Sequence, residues 1–470
     1  MKNIHYKIII IIVPVFCLYL LLQAGCMVGP DYKPQDVNAP AGWVGTKNTA
    51  SPDTTLLEWW TEFNDANLTS LIERAMKSNL DLRQAEERIR QARAASGVAG
   101  AGFWPTADVT GSATRNRNSA GIKSNLFTTG LDAAWELDIF GGTRRNIEAA
   151  EADIRASIED RRDVLVTLVS ELAINYVQLR GYQQEIIIAQ NNLKSQQQSA
   201  SVVRKRYEGG FVSALDVANA DAQVATTMSQ IPLIETSAQQ TIYNISVLLG
   251  QEPASLLEEL SPASSIPLTP PEVPTGLPSE MLRRRPDIRR AEAQIHAATA
   301  QIGVATADLF PKFNLAGSIN IQAASLNKLR WDQHSWSFGP SASWEIFNAG
   351  RVSSNIEVQK ALQQQAVLTY KKTVLTAIQD VENALIAYTN EQEHHKSLID
   401  AVAANRKAVD LSTQLYVEGQ TDFLSVLVAQ GSLYSSEDAL VQSTRNLSTD
   451  LIALYKALGG GWDNTSPDSD

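Results

Sequence analysis

Four segments of about ten residues alternate between apolar and polar side chains, the pattern of strands with one apolar and one polar face. In residues 131–140 the polar positions include the acids Asp132, Glu136 and Asp138. The other segments are residues 106–114, 312–321 and 335–346, the last of which contains Glu345. A soluble β-sandwich could also use this alternation, with its acids in water. Four occurrences at the length that a tilted strand needs to cross a bilayer favour transmembrane strands, with apolar side chains toward lipid and polar ones toward a lumen.

The segments form two pairs, predicted as β-hairpins over residues 106–140 and 312–347. Four strands cannot close a barrel, because the smallest membrane barrels have about eight. An unpaired strand edge in lipid costs several kcal/mol per backbone group. Two copies would supply eight strands and three copies twelve, and only the larger number leaves a water-filled lumen. A conduit therefore argues for a trimer.

Residues 143–207 contain no proline, and one helix of that length would be about 100 Å long, too long for a compact domain. Its apolar positions step by four and three, as in a coiled coil: Leu165, Val169, Leu172, Tyr176 and Leu179. Gly209 and Gly210 then indicate a tight turn. A returning helix is predicted over residues 213–249.

The second half of the chain repeats the first. Residues 81–111 share their pattern with residues 287–317, and the turn that contains Tyr207 and Gly210 returns with Tyr416 and Gly419. The coiled-coil positions return as Val374, Ile378, Val381, Leu385 and Tyr388. We interpret this as duplication of a unit made of a helix, a hairpin, a long helix and a returning helix.

The N-terminus has the features of an export signal. Lys2 and Lys7 precede an apolar run over residues 8–22, and small residues precede Cys26. This combination resembles a bacterial lipoprotein signal, although Gln23 stands where such signals usually have Leu. The resemblance implies that Cys26 carries covalent N-acyl and diacylglycerol lipid, and Met27 after it favours the outer membrane. The only other cysteine lies within the signal, so the mature chain has no disulfide.

These patterns predict six regions. They are a lipoprotein signal peptide (1–25), an extended N-terminal segment that begins at the lipidated Cys26 (26–65), a first repeat (66–250), a Pro-rich linker (251–278), a second repeat (279–459) and a C-terminal tail (460–470). The predicted fold class is mostly α with a membrane β-barrel: a trimeric twelve-stranded outer-membrane barrel, four strands per chain, continued by a long α-helical coiled-coil barrel in the periplasm.

Composition and motifs argue against several other classes. The net charge of −11 disfavours a nucleic-acid partner. The chain has no G-x-S-x-G, Walker, H-E-x-x-H or Cys-based metal motif, so we predict no catalytic residue. His394 and His395 lie beside Glu391 and Glu393, but adjacent helical side chains point about 100° apart, so no metal site is predicted.

Several motifs together resemble a known family. They are Cys26 followed by Gly-Pro-Asp-Tyr-Lys-Pro at 29–34, the Trp59-Trp60 pair, Leu-Arg-Arg-Arg-Pro-Asp at 282–287 and Phe310-Pro311. The chain resembles the TolC family, and more closely the OprM-like lipoprotein outer-membrane factors of RND efflux systems. The resemblance implies a homotrimer in outer-membrane lipid, joined by a periplasmic adaptor (membrane fusion) protein to an inner-membrane RND pump. Such a chain is a passive exit duct for drugs or other small toxic compounds, and no further cofactor is expected.

The resemblance also implies a periplasmic gate near the two tyrosine-containing turns, with Tyr207, Asp216, Tyr416, Leu424 and Val428 as its residues. Relatives commonly carry acids nine and twelve positions after the second tyrosine, where this chain has Ser425 and Val428. If Leu424 points inward, the constriction is partly hydrophobic and closes by dewetting. The alternative is that Leu424 and Val428, four apart on a helix, are core residues.

The acids Asp132, Glu136, Asp138 and Glu345 are predicted to line the upper lumen and favour cations, or else simply to be solvated. For the whole chain, the alternative is a periplasmic coiled-coil lipoprotein that spaces or tethers the envelope. That alternative explains the long helices and Cys26. It does not explain four alternating segments at the same places in two repeats.

Overall fold

The computed structural model describes residues 27–35, 40, 42–44, 56–267 and 278–462. The predicted signal peptide, Cys26 and residues 463–470 of the tail lie outside the described residues, as do residues 268–277 of the linker. Among the helices of the described ranges, none combines the length and the apolar character needed to cross a membrane.

The helices and strands of each repeat follow the predicted order of a helix, a hairpin, a long helix and a returning helix. In the first repeat, α1 (Ala66–Ser78) precedes α2 (Leu80–Ala101), β1 (Thr106–Arg117), β2 (Lys123–Leu137), α3 (Gly142–Glu208) and α4 (Ala214–Leu248). Two short helices follow, α5 (Leu257–Leu260) and α6 (Pro278–Arg284). The second repeat contains α7 (Pro286–Ala307), β3 (Lys312–Ala323), β4 (His334–Ser343), α8 (Arg351–Val417) and α9 (Phe423–Ala457). Single 3-10 turns lie at Trp59–Phe63, Leu326–Lys328 and Trp331–Gln333.

Four pairs of corresponding elements in the two repeats have equal lengths, whereas β2 has 15 residues and β4 has 10. α2 and α7 have 22 residues each, β1 and β3 have 12, α3 and α8 have 67, and α4 and α9 have 35. Such equality is expected only if one unit was duplicated, which agrees with the repeat found in the sequence. At 1.5 Å per residue, α3 and α8 are each about 100 Å long.

The chain divides into two compact units, and each unit takes residues from both repeats. One unit comprises Met1–Asp36, Glu87–Glu159 and Ile288–Thr373, and the other comprises Val37–Glu86, Asp160–Asp287 and Val374–Asp470. The long helices α3 and α8 run through both units. The unit boundaries therefore cut across the repeats, and neither repeat is a compact unit by itself.

The first unit contains an antiparallel sheet with the strand order β1-β2-β3-β4, in which the central pair joins the two repeats. Its registers align apolar residues in rows across all four strands, one of which is Val109, Leu131, Ile319 and Trp336. The adjacent row on the opposite face is polar: Asp108, Asp132, Ser318 and Ser337. The predicted separation of apolar and polar faces is therefore confirmed.

The predicted strand ends were wrong by a few residues. β2 ends at Leu137 rather than at residue 140, and β4 ends at Ser343 rather than at residue 347. After β2 the chain turns sharply into α3, and Gly141 adopts a positive φ of 79°. A Cβ at Gly141 would lie 2.8 Å from the side chain of Met27, so the N-terminal segment also needs a glycine there.

The first unit holds the N-terminal segment against both repeats. The Val28 N–H donates to the carbonyl of Phe140, and the buried Arg145 side chain donates to Asp31 at 2.6 Å and to Glu148 at 2.7 Å. The Tyr32 ring stacks on His296 of α7, with centroids 4.4 Å apart. The N-terminal segment, which contains Pro30 and Pro34, is thus an extended chain laid on another surface, as predicted.

The second unit contains the largest apolar core. All five coiled-coil positions predicted in α3 are buried, including Leu172 and Tyr176, and four of the five in α8 are buried as well. Trp59 is also fully buried, and its ring stacks on Tyr455 of α9 with centroids 5.2 Å apart. The paired tryptophans therefore anchor the N-terminal region to the core.

Candidate functional site

The polar face of the sheet carries two of the four acids predicted for a lumen. Asp132 lies on β2, directly opposite Asp108 of β1, and accepts a hydrogen bond of 3.0 Å from the hydroxyl of Thr110. Glu136 lies in a row with Asn314 of β3 and Ser341 of β4. Two like charges directly across a strand pair repel one another, so water or cations must reach the Asp108–Asp132 pair.

Asp138 and Glu345 lie beyond the strand ends, and their carboxylates have local partners. Asp138 accepts hydrogen bonds of 3.0 Å from the backbone N–H groups of Thr143 and Arg144, and its side chain is only 8% exposed. It also forms an ion pair with Arg144, so it caps the start of α3. Glu345 pairs with Arg351 at the start of α8. The predicted strand position of Asp138 was therefore wrong, because the chain leaves the sheet before it.

The first of the two tyrosine-containing turns joins α3 to α4. Gly210 has a φ of 79°, and its N–H donates to the carbonyl of Tyr207 at 2.8 Å. Asp216 completes a capping box: the Ser213 hydroxyl accepts from the Asp216 N–H, and the Asp216 carboxylate accepts from the Ser213 N–H. The Tyr207 side chain is exposed. Asp216 thus has a structural role in starting α4.

The second turn joins α8 to α9 and has the same two residue types in reverse order, with Asp422 in the place of Ser213 and Ser425 in the place of Asp216. Gly419 has a φ of 74°, and Asp422 is the N-cap of α9, accepting from both the N–H and the hydroxyl of Ser425. These hydrogen bonds hold the pKa of the Asp422 carboxyl below its ordinary value. This chain therefore has Ser425 at the position where an acid is common in relatives, and it has an acid three residues earlier, at the N-cap.

Arg206 of α3 connects the two turns. Its guanidinium donates to the carbonyl of Tyr416 at 2.6 Å and lies 4.7 Å above the centroid of the Tyr416 ring. That ring is 5% exposed and packs on Phe423 of α9, with centroids 5.4 Å apart. Burial raises the pKa of the Tyr416 hydroxyl, although the charge of Arg206 acts in the opposite direction. The end of α3 in the first repeat thus holds the end of α8 in the second repeat.

A family model described as outer membrane efflux protein matches residues 71–251 and 277–460, once in each repeat. The chain belongs to this family. It is an outer-membrane efflux channel protein, as the resemblance predicted, and these similarities do not support the envelope-spacer alternative.

Its relatives match over nearly their whole lengths. Nodulation protein T of Rhizobium leguminosarum bv. trifolii is 33% identical over 451 residues, which cover 94% of this chain and 96% of that protein. The pyoverdine export outer membrane protein OpmQ of Pseudomonas aeruginosa is 33% identical over 455 residues, covering 94% and 95%. The solved outer-membrane channel OprN is 37% identical, with a TM-score of 0.86, over 93% of this chain and 100% of that chain.

In this efflux protein the two apolar residues predicted for the gate are exposed. Leu424 and Val428 on α9 are 58% and 61% exposed, whereas Val426 between them is buried against Tyr416 and Phe423. The alternative that Leu424 and Val428 are core residues therefore does not hold within a single chain. Their position leaves both side chains available to a neighbouring copy or to a lumen.

Two residues of these sites, Asp108 and Arg206, were not predicted. Asp108 shares the alternation of its segment with Asp132, so its position on the same face was predictable, but its pairing required the strand register. Arg206 precedes Tyr207 and lies in the last turn of α3, where a cation is favourable. Its contact with Tyr416, 210 residues away in the sequence, required the fold.

The histidines near Glu391 contact different partners. His394 lies 3.1 Å from Glu391, and His395 lies 3.1 Å from the hydroxyl of Thr444. Within the described ranges, no group of three or more metal-ligand side chains occurs.

Proposed function

We propose that three copies of this chain close a twelve-stranded barrel in the outer membrane, continued by a tube of helices in the periplasm. The observation that carries the proposal is the sheet: apolar rows cross all four strands on one face, polar rows cross them on the other, and β1 and β4 are its outer strands. In a bilayer the outer edges of β1 and β4 require partners. Pairing β1 of one copy with β4 of the next supplies them.

The assembled tube would be the exit duct of a tripartite pump. The polar rows would face its lumen, and the apolar rows would face lipid. We propose that a periplasmic adaptor and an inner-membrane RND pump deliver small toxic compounds to it, and that the chain itself catalyses no reaction. The names of relatives such as the toluene efflux pump protein TtgF of Pseudomonas putida support this substrate class. Lipid on Cys26 would provide a further attachment to the membrane.

The periplasmic end would be closed near the two turns. Leu424 and Val428 are exposed on one side of α9, so three copies would place six apolar side chains around the axis. A narrow apolar ring excludes water and ions by dewetting. Tyr207 and Asp216 on the first turn and the Arg206–Tyr416 contact would hold the helix ends in the closed arrangement.

The proposal is tested by the mass of the detergent-purified protein, measured by light scattering and corrected for bound detergent. Three chains per particle support the barrel, and a monomer that is stable without detergent would contradict it. Conductance in planar bilayers then tests the gate. We expect the Leu424→Ser variant to conduct more at rest and to make cells sensitive to vancomycin, and unchanged values would refute the apolar constriction.

A further inference from the structure

The face of the β1–β2 hairpin that is apolar in the middle of the sheet becomes cationic near the hairpin turn. The pairing of the two strands is continuous, so side chains alternate between the faces without a bulge. The face that carries Val109 and Leu131 therefore ends in two rows that hold three cations and an amide. These four residues form what we call the cationic patch: Arg115 opposite Asn125, and Arg117 opposite Lys123. On the other face the row between them is polar and uncharged, with Asn116 opposite Ser124.

The length of the apolar face places the patch at the height of lipid headgroups. On β2 this face lies between Leu137 and Phe127, which are ten residues or about 34 Å apart along the strand. With a tilt of about 40°, that length covers about 26 Å of membrane thickness, and the outward apolar band of a membrane barrel is about 25 Å tall. Asn125 and Lys123 come next on the same face. In the proposed barrel they would lie just outside the hydrocarbon, where the charged groups of lipids begin.

The patch lies at the end of the hairpin that is opposite to the helices. β1 follows α2 and β2 leads into α3, so both strands meet helices at the end that carries Thr106 and Leu137. The hairpin turns back at residues 118–122, beside the patch. With the helices in the periplasm, the turn and the patch would lie at the outer surface of the membrane.

The cations of the patch lack anionic partners. In the part of the chain that the structure describes, none of the three forms an ion pair, and all three are exposed. The nearest acid on β1 is Asp108, seven residues or about 24 Å from Arg115 along the strand. Arg117 and Lys123 are directly opposite one another, where like charges repel. Because the turn between them is closed by a hydrogen bond of 2.9 Å to the Asn118 side chain, an anion is the simplest means of offsetting this repulsion.

The second connection of the sheet adds charge of the same sign. Residues 324–333, between β3 and β4, contain Lys328 and Arg330 and a single acid, Asp332. In the proposed trimer β4 of one copy pairs with β1 of the next, which would bring this connection beside the patch of the neighbouring chain. The outer rim of the barrel would then be strongly cationic.

The charge and the position of the patch together select its occupant. Phosphate oxygens match the fork of an arginine guanidinium, and a lysine ammonium binds phosphate as a point charge. The apolar face that begins at Phe127 adjoins the patch, so the phosphate that fits here is one attached to hydrocarbon chains. We propose that the cationic patch binds phosphate groups of lipids in the outer leaflet of the membrane. This inference rests on the proposed barrel, because it requires that face to meet lipid.

The test uses the detergent-purified full chain, diphosphoryl lipid A as the probe and native mass spectrometry as the measurement. One spectrum reports both the number of chains in the particle and the number of lipids bound to it. We expect the Arg117→Gln/Lys123→Gln double variant to bind the probe about twenty-fold more weakly than the wild type, since each cation near an anionic lipid surface contributes about fivefold.

Two single variants form a matched pair at one height of the hairpin. Asn125→Glu adds an acid to the cationic patch, whereas Ser124→Glu adds the same charge to the opposite face. The first should weaken binding of the probe about fivefold, and the second should leave it unchanged. Monophosphoryl lipid A, which has one phosphate fewer, should bind the unaltered protein about fivefold more weakly than the diphosphoryl form.

The possible results separate this inference from the barrel on which it rests. A trimer whose affinity falls in the expected order supports the lipid site. A trimer that binds the probe equally well without the charges of Arg117 and Lys123, that loses as much affinity with Ser124→Glu as with Asn125→Glu, or that binds both forms of lipid A equally overturns the site and leaves the barrel intact. A single chain that is stable without detergent overturns both.

Discussion

At the scale of single residues, the two turns are related by duplication but differ in how they are held. Ser213 and Asp216 cap α4, whereas Asp422 and Ser425 cap α9 with the two residue types exchanged. Arg206, beside the first turn, donates a hydrogen bond to the Tyr416 carbonyl beside the second turn. The second turn is therefore the one whose position depends on a side chain from the other repeat.

Replacing Arg206 should loosen the second turn. Arg206→Met removes the hydrogen bond to the Tyr416 carbonyl and the cation–π contact, which we expect to cost about 1 kcal/mol at this partly exposed position. In planar bilayers the variant should open more often at rest than the wild type. Arg204→Met is the matched control, since Arg204 pairs only with the exposed Asp221 among the partners described. Equal resting conductance for both variants would contradict the role of Arg206.

Asp138 and Asp132 should respond differently to neutralisation. Asp138→Ala removes the cap of α3 and should lower stability by about 1 kcal/mol, measured by thermal unfolding. Asp132→Asn should leave stability nearly unchanged, or raise it slightly by relieving repulsion from Asp108, and should lower the permeability ratio of cations to anions. A loss of cation selectivity in Asp138→Ala alone, with normal stability, would restore its predicted position in the lumen.

At the scale of elements, the sheet and the helix ends differ in how far local sequence determines them. The strand faces follow from the period of two, and the long helices follow from the absence of proline and from the coiled-coil spacing. The end of β2 does not, because residues 138–139 continue the alternation, whereas Asp138 instead accepts hydrogen bonds from the first N–H groups of α3. Helix capping, a contact between neighbouring elements, decided that boundary.

Adjacent positions on β3 should differ sharply in their tolerance of charge. Ile319 lies in an apolar row and Ser318 in a polar one. In the proposed barrel, Ile319→Lys would place an ammonium in lipid at a cost of about 2–4 kcal/mol near the midplane. We therefore expect poor assembly, seen as loss of the heat-modifiable oligomer in gels. Ser318→Lys should assemble normally and reduce cation permeability, and equal assembly of both variants would contradict the assignment of the faces.

The N-terminal segment should lose stabilisation in acid. Burial acts to raise the pKa of Glu148, but hydrogen bonds from His296 and Arg145 bring it below its ordinary value of 4.5. The pKa of Glu148 is thus lower in the folded chain than in the unfolded chain, and between these two pKa values the unfolded chain binds more protons. The stabilisation by Glu148 is complete above the unfolded pKa and is lost as the pH falls through the folded pKa. The melting temperature of Glu148→Gln should therefore vary less with pH in this range than that of the wild type. Glu151→Gln, at an exposed position one turn further, should retain the wild-type dependence.

At the scale of the whole molecule, the sequence was sufficient for the architecture and insufficient for the long-range contacts. The duplication was visible in recurring residues, and the structure shows matching elements of equal length. The contact of Arg206 with Tyr416 and the pairing of Asp108 with Asp132 join residues that are distant in the sequence. A single sequence carries no periodic signal for such contacts.

The exchange of Ser and Asp between the two turns has a consequence for assembly symmetry. In the proposed trimer, three copies would present six similar helix ends, and those capped by Ser213 and by Asp422 would alternate around the ring. A partner that binds these ends would meet two chemically distinct kinds of binding site, one with the Ser213 cap and one with the Asp422 cap, not six equivalent sites. A sixfold partner ring would then either adopt two alternating conformations or bind the two kinds of helix end with different affinities. In the second case its subunits would be added in two steps.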